Sequence, residues 1–252
     1  MQNNNDLVSI ITPFKNSIKY FQETYDSVMS QSYDKFEWFI IDDGSDTEQY
    51  SALLNLCKDV RVKVLENNEE AGAGGARNTG LKHVSGKFIT FIDSDDMWDK
   101  DFILNSISFI NENEVNSCFS GYKRYLENKS QFMSSFFPSK IVSSENILRG
   151  CDISCLTFFG LSEYLKEDVK FGNYRARNDL YFFYHYLINS GDSHPNKSIL
   201  ATYRIGKKSI SSNKIKLIKY QYILNRDVAN NSLIKTIFNV VIWAGYGLLK
   251  YR

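Results

Sequence analysis

The chain has 252 residues, a formal net charge of +1, 43% hydrophobic and 23% charged residues, and only 3 prolines. That length accommodates one large α/β domain or two small ones, and the balanced charge gives no electrostatic footprint for nucleic acid. The scarcity of proline excludes a Pro-rich linker, and 18 Phe with 16 Tyr suit either an aromatic-rich core or a carbohydrate or lipid partner.

The N-terminus, MQNNNDL, lacks a basic stretch followed by an apolar one, so no signal peptide is expected and the protein is assigned to the cytoplasm. Leu7–Thr12 is a β-branched run ended by Pro13 and predicts a buried strand. From Ser17 to Met29, Ile18, Phe21, Tyr25, Val28 and Met29 recur at helical spacing. Phe36–Ile41 is a second buried strand, stopped by DDGSD. Ser45 or Asp46 can cap the helix that follows, with Leu53, Leu54 and Leu56 on its inner face. Val60–Leu65 alternates with period two, like a more exposed strand. AGAGGARNTGLKHV supplies a Gly-rich turn and a short helix, and Lys87–Ile92 the fourth strand.

Strands alternating with helices predict a parallel sheet covered on both faces, whose ligands bind beyond the carboxyl ends of the strands. Three strand ends are polar (TPFKN, DDGSD and DSDD), so that edge is the candidate site. The second half is less regular. NSCFSGYKRYL, SQFMSSFF and SILATYR read as strands, ISCLTFFG is apolar, and YRARNDLYFFYHYLI, Lys214–Asn225 and Leu233–Leu249 read as helices. Cys57, Cys118, Cys151 and Cys155 fit no zinc spacing and are expected as reduced thiols.

Asp93, Asp95 and Asp96 crowd three carboxylates into four residues. Their mutual repulsion, about 1 kcal/mol per pair at ~4 Å in water, changes sign if Mg²⁺ or Mn²⁺ binds, a hard cation often shared with substrate phosphates. A calcium loop would need Gly where Trp98 stands. The alternative is that the cluster caps a helix near Asp99. GAGGARNTG matches neither the Walker loop nor the dinucleotide fingerprint, since Ala76-Arg77-Asn78 stands where each motif requires other residues. It is either a ligand-approaching backbone with Arg77 adding positive charge, or a flexible turn before a helix.

VSIITPFKN, WFIIDDGSDT and AGGARNTGLKHVSGKFITFIDSDDMW together resemble family 2 glycosyltransferases of the GT-A fold, over roughly Leu7–Phe102. The rest, through RARNDLYFF, ATYRIGKKSISSNK and a helical tail, is similar to bacterial polysaccharide-building members. The resemblance implies a Rossmann-like nucleotide-sugar half (1–100) and an acceptor half (101–230) in one domain, followed by a C-terminal amphipathic helix (231–252). It also implies site roles: Thr12 and Pro13 along the nucleotide base, Asp43 on uracil, and Asp93-Ser94-Asp95 as the Asp-x-Asp motif. Within that motif Asp93 would approach the ribose and Asp95 the metal, with Asp93 also available to the ion. Asp96 would share the metal or position the donor sugar, and Mn²⁺ or Mg²⁺ is the implied cofactor. Asn178-Asp179 matches the family's Glu-Asp, with Asp179 as catalytic base and Asn178 a departure. On the residues alone, Asp179 reads first as an ordinary acid at a helix N-terminus, favoured by the helix dipole.

The implied reaction is inverting transfer of a hexose, glucose being the one expected, from a UDP-sugar to an undecaprenyl-diphosphate-linked GlcNAc, in O-antigen assembly. A sugar nucleotidyltransferase and a non-catalytic nucleotide-sugar-binding module are the competing classes. The tail, Ser232–Arg252, falls short of a membrane span. Its apolar Ile234, Ile237, Phe238, Val241, Ile242, Leu248 and Leu249, with Trp243, Tyr246, Tyr251, Lys250 and Arg252, suit either a lipid interface or packing on the core. Interfacial docking places the enzyme peripherally on the cytoplasmic face of the bacterial inner membrane.

Overall fold

The structure, a computed structural model, describes residues 6–174, 177–206 and 214–250, the side chains of 214–216 and 246–250 excepted. β1 (Val8–Phe14), β2 (Phe36–Asp42), β3 (Val62–Glu66) and β4 (Phe88–Phe91) form a parallel sheet in the order β3-β2-β1-β4. Alternation along these strands divides the core between the two faces. Ile10, Phe14, Trp38 and Ile40 pack with Phe21 and Val28 of α1 (Ile18–Met29) and with Phe102 and Ile103 of α4 (Phe102–Asn113). Ile11, Phe39 and Ile41 point the other way, into a cluster with Ala76 of α3 (Ala73–Leu81) and with Phe182, Phe183 and Tyr186 of α5 (Asn178–Ser190). Most of the largest fully buried side chains are Phe, so the aromatic excess is spent on the core.

The sheet does not remain parallel. β8 (Phe158–Leu161) joins β4 antiparallel, and β6 (Ser117–Leu126) pairs with β8, with β7 (Gln131–Phe136), and along most of its length with β9 (His194–Ile205). β5 (Met97–Trp98) pairs with β9 through Met97↔Thr202. This carries the chain just past the Asp93–Asp96 turn onto the far end of the same sheet. The first ~100 residues and the rest therefore share one nine-stranded sheet.

Several boundaries differ from expectation for local reasons. In α2 (Thr47–Leu56), Leu53 is buried but Leu54 is 40% exposed, because the helix presents a narrower stripe to the sheet than three leucines suggest. Asp46 precedes α2 without a side-chain cap bond, and its amide instead donates to Asn16 Oδ1 at 2.9 Å. α5 begins at Asn178 rather than at Tyr174, because Arg177 adopts a left-handed backbone with φ 65° that no helix interior accepts. α6 (Lys214–Ile223) passes into a π-helical turn, Leu224–Val228, before α7 (Leu233–Lys250). Arg175, Ala176 and the expected motif residues 207–213 lie outside the described residues, as do Tyr251 and Arg252 and the side chains of Tyr246 and Lys250.

Candidate active site

The polar strand ends meet through direct contacts. Asp43 N donates to Phe14 O at 2.8 Å, Asn16 N to Ser45 Oγ at 3.0 Å, and Ser17 Oγ to Ser94 Oγ at 2.8 Å. The loops after β1, β2 and β4 are thus stitched into one rim. Asp42 turns back on its own loop, its Oδ2 accepting the amides of Gly44 (3.2 Å) and Ser45 (3.1 Å). Asp43 faces the glycine run instead. Its carboxylate accepts Asn67 Nδ2 at 2.7 Å and Gly72 N at 3.0 and 2.9 Å on its two oxygens, with Lys15 Nζ 3.5 Å away. A hollow at the ends of β2 and β3 is lined by Asp42, Ser45, Tyr50, Glu66 and Asn67, with none of the Asp93–Asp96 carboxylates among its lining residues.

Thr12 and Pro13 lie on β1 opposite Ile40 and Ile41. Thr12 is fully buried and its hydroxyl accepts the Trp38 indole N–H at 2.9 Å, so its side chain is committed to the core.

The glycine run has a steric cause. α3 lies on β1 so closely that a Cβ at Gly80 would stand 2.6 Å from Ile11 Cγ2, and the loop leading into α3 folds back so that one at Gly75 would stand 1.8 Å from the Glu70 carbonyl oxygen. Neither can carry a side chain without displacing its neighbour. Asn78 on the same helix grips the loop before α5, donating from Nδ2 to Phe171 O at 3.0 Å and accepting Phe171 N at 2.7 Å. This clasp brings the start of α5 against α3.

Arg77 sits at that junction. It is 5% exposed, ion-paired with Asp93, and its guanidinium lies 5.1 Å over the Phe171 ring. Asp93, Cys155 and Asp179 all interact electrostatically with it, and the acids hold its pKa above the ordinary arginine value despite burial. Arg77 therefore pairs with a carboxylate of the β4 turn, which answers its charge, and lies within the field of the acid on α5. Asp179 stands in the first turn of α5, with its Oδ1 accepting the Leu180 amide at 2.9 Å.

The Asp93–Asp96 turn is closed by Asp96 N donating to Asp93 O at 3.1 Å. It caps no helix: β5 intervenes and α4 starts only at Phe102 after Asp101. Asp95 is pushed up to about 6, first by burial and then by the charge of Asp93. Asp96, 1% exposed, is raised well above the usual carboxylate range by burial and by both neighbours. Its Oδ1 accepts the backbone N–H of Arg204 at 2.8 Å, and its carbonyl accepts Thr24 Oγ1 at 2.8 Å. Among the described residues no group of three or more His, Cys, Asp or Glu is arranged to enclose a metal ion. The donor set nevertheless fits a hard divalent cation bound through one or two carboxylates with a diphosphate completing its shell, since Asp93 is 38% exposed and burial and the charge of Asp93 leave Asp95 raised despite Arg204.

Sequence reasoning missed Arg204, which donates through Nε to Asp95 O at 2.9 Å. It lies within ATYRIGKKSISSNK, but that stretch gave it no role, because its partners come from distant parts of the chain. No disulfide joins Cys57, Cys118, Cys151 and Cys155, in keeping with reduced thiols.

A half-parallel sheet thus carries a carboxylate turn beyond β4, with one buried arginine paired to that turn and lying in the field of an acid on α5. The chain belongs to glycosyl transferase family 2, whose model matches residues 9–167. It is 31% identical over 246 residues to the Escherichia coli UDP-Glc:alpha-D-GlcNAc-diphosphoundecaprenol beta-1,3-glucosyltransferase WfgD, covering 97% of this chain and 95% of that protein. It is 30% identical over 245 residues to the putative teichuronic acid biosynthesis glycosyltransferase TuaG of Bacillus subtilis, covering 97% of each. The fold matches S. aureus TarS 1-349 in complex with UDP-GlcNAc, with TM-score 0.69, 21% identity, and coverage of 95% of this chain and 71% of that one. It also matches the Pyrobaculum calidifontis mannosyltransferase PcManGT in complex with GDP-Man and Mn²⁺, with TM-score 0.65, 16% identity, and coverage of 94% and 69%. At those identities the structural matches speak for the GT-A fold alone.

Proposed function

We propose that this glycosyltransferase transfers a hexose, glucose, from a UDP-sugar to a GlcNAc-diphosphate-undecaprenol acceptor, forming a β-linkage in the assembly of a bacterial surface polysaccharide. The observation that carries this reading is the Asp93–Arg77–Asp179 junction. Arg77 pairs directly with Asp93, and the charge of Asp179 on α5 acts on the same guanidinium. The full-length similarity to WfgD supports the donor, acceptor and linkage type.

In this reading residues 1–230 act as one domain, with 1–100 holding the donor and 101–230 the acceptor. The Thr12–Pro13 backbone and Asp43 meet the uracil, and Asp93, with Ser94 beside it, meets the ribose. Asp95 would hold Mn²⁺ or Mg²⁺ together with Asp93, and Asp96 would shape the pocket for the donor sugar. A bound divalent cation supplies charge compensation for the departing diphosphate. Asp179, oriented by the Leu180 amide, accepts the proton of the acceptor hydroxyl as that oxygen attacks the anomeric carbon. Arg77 keeps Asp93 in place and its positive field reaches Asp179. One displacement inverts configuration, so an α-linked UDP-sugar yields a β-glycoside.

The acceptor's lipid anchor suggests a membrane surface, and α7 supports one. Leu233, Ile234, Ile237, Phe238 and Val241 are all more than half exposed, whereas Thr236 and Asn239 are fully buried. Among the described residues no helix is long and apolar enough to cross a membrane. The guanidinium of Arg177, two residues before Asp179, lies 4.8 Å over the Trp243 ring, so α7 meets the segment that leads into α5. We read α7 as resting on the cytoplasmic leaflet of the inner membrane, with its acceptor entering from that plane.

The test is Asp179→Asn with UDP-glucose and a lipid-linked GlcNAc diphosphate. The variant should bind UDP like the wild type yet turn over roughly 10²–10⁴-fold more slowly. Near-native turnover would move the base elsewhere, and a wild-type product with an α-linkage would refute inversion.

A further inference from the structure

Asp93, Asp95 and Asp96 repel one another, and the turn is held from several sides. The Asp96-to-Asp93 backbone bond closes it, Ser17 bonds Ser94, Thr24 bonds the Asp96 carbonyl, and Arg77 pairs with Asp93. β9 supplies the contact that reaches both Asp95 and Asp96. The backbone N–H of Arg204 donates to Asp96 Oδ1 at 2.8 Å, and its Nε donates to Asp95 O at 2.9 Å. The rest of the guanidinium is fastened on two sides. One terminal nitrogen donates to Glu127 Oε2 at 2.7 Å, in the turn between β6 and β7, and the other to Glu23 Oε2 at 2.8 Å on α1. Its faces lie 5.0 Å from the Tyr20 ring and 5.6 Å from that of Tyr125. Arg204 itself is 5% exposed.

A buried guanidinium is an expensive strut, since an apolar side chain of similar volume often holds a fold equally well. What an apolar side chain cannot do is hold the Asp95 carbonyl at a fixed distance and place a positive charge behind an acidic turn. The planar fork of arginine does both, and a lysine ammonium reproduces the charge but not the several fixed directions.

We propose that Arg204 is a positioning residue for the transfer reaction: it pre-forms the Asp93–Asp96 turn for the nucleotide diphosphate and its cation by anchoring that turn to α1 and to the β6–β7 hairpin. This rests on reading the turn as the donor site.

The experiment is calorimetric titration of UDP in saturating Mn²⁺, repeated with Mn²⁺ as the varied component, alongside thermal melting in EDTA. Arg204→Met keeps an unbranched chain in the same space. It should melt as a folded protein but bind UDP·Mn²⁺ roughly tenfold or more weakly, with Arg204→Lys recovering only part of the loss. Should Arg204→Met fail to fold, Glu127→Gln removes one anchor at a partly exposed position and should weaken binding several-fold in the same direction. A folded Arg204→Met, or failing that Glu127→Gln, that binds UDP·Mn²⁺ as tightly as the wild type overturns the inference and leaves the donor-site reading standing. A wild-type protein that binds no UDP in Mn²⁺ overturns both.

Discussion

Asp95→Asn should stabilise the metal-free protein while destroying its response to metal. Asp95 is held at about 6 against its ordinary 3.8, chiefly by burial and then by the charge on Asp93. Between those pH values the unfolded chain has lost the proton and the folded chain keeps it, so stability falls as pH rises from about 4 to about 6 and then levels off. At neutral pH the full shift corresponds to about 3 kcal/mol against folding, a ceiling that solvent at the partly open turn lowers to about 1–2 kcal/mol. Other carboxylates pull the opposite way: Asp59 is lowered to about 2 by its bonds to Arg61. The variant must therefore be read against the wild type at each pH. The Asp95 carbonyl that accepts Arg204 Nε is backbone and survives the substitution. Denaturant unfolding in EDTA at pH 7.5 should show Asp95→Asn ahead of the wild type by that margin, worth several degrees in Tm, with the gap closing towards pH 4. Mn²⁺ with UDP should reverse the order by stabilising only the wild type. An Asp95→Asn protein no more stable than the wild type at pH 7.5 in EDTA would refute the repulsion argument.

Two further outcomes follow from burial. Thr12→Val should leave the Trp38 indole N–H without a partner inside the core and cost about 1–3 kcal/mol, measured by denaturant midpoint; an unchanged midpoint would mean that the indole bond contributes nothing. Ile234→Glu with Ile237→Glu alters side chains that are 82% and 53% exposed, so Tm should hold while sedimentation with anionic liposomes drops sharply. Loss of fold would instead show that α7 packs through its apolar face.

Much of the first half was legible in the sequence because local chemistry determines it. The runs VSIITPF and FEWFIID have no polar side able to face water, so they had to be covered on both faces. DDGSD stops a strand because Asp42 satisfies the amides of Gly44 and Ser45, and Gly44 takes φ 77°. Strand direction in the second half was not legible. β6 is met by β8, β7 and β9 along different stretches, with register shifts between Phe119 and Tyr122, and no local pattern encodes that order. Arg204 and the Arg77–Asp93 pair escaped for the same reason: the sequence shows carboxylates without a neighbouring cation, and the fold delivers the cations from 16 and 109 residues away.

The orientation of α7 is the sharpest case of what periodicity leaves open. A stripe of Leu, Ile, Phe and Val at helical spacing predicts the buried face of a surface helix. Here the stripe is outside. The inner face carries Asn239, which accepts Arg149 Nε at 3.0 Å and donates to Asn225 Oδ1 at 2.7 Å, and Asn225 in turn donates to the Gln221 carbonyl at 2.9 Å. Gln221 continues the chain by donating to Leu148 O at 2.6 Å. A helix anchored by a buried polar relay resists rotation about its axis, because turning it would leave Asn239, Arg149 and Asn225 short of partners at about 1–3 kcal/mol each. Covering the outer stripe by rotation is therefore costlier than covering it from outside. That asymmetry is why a lipid surface fits α7 better than a slack helix awaiting the core.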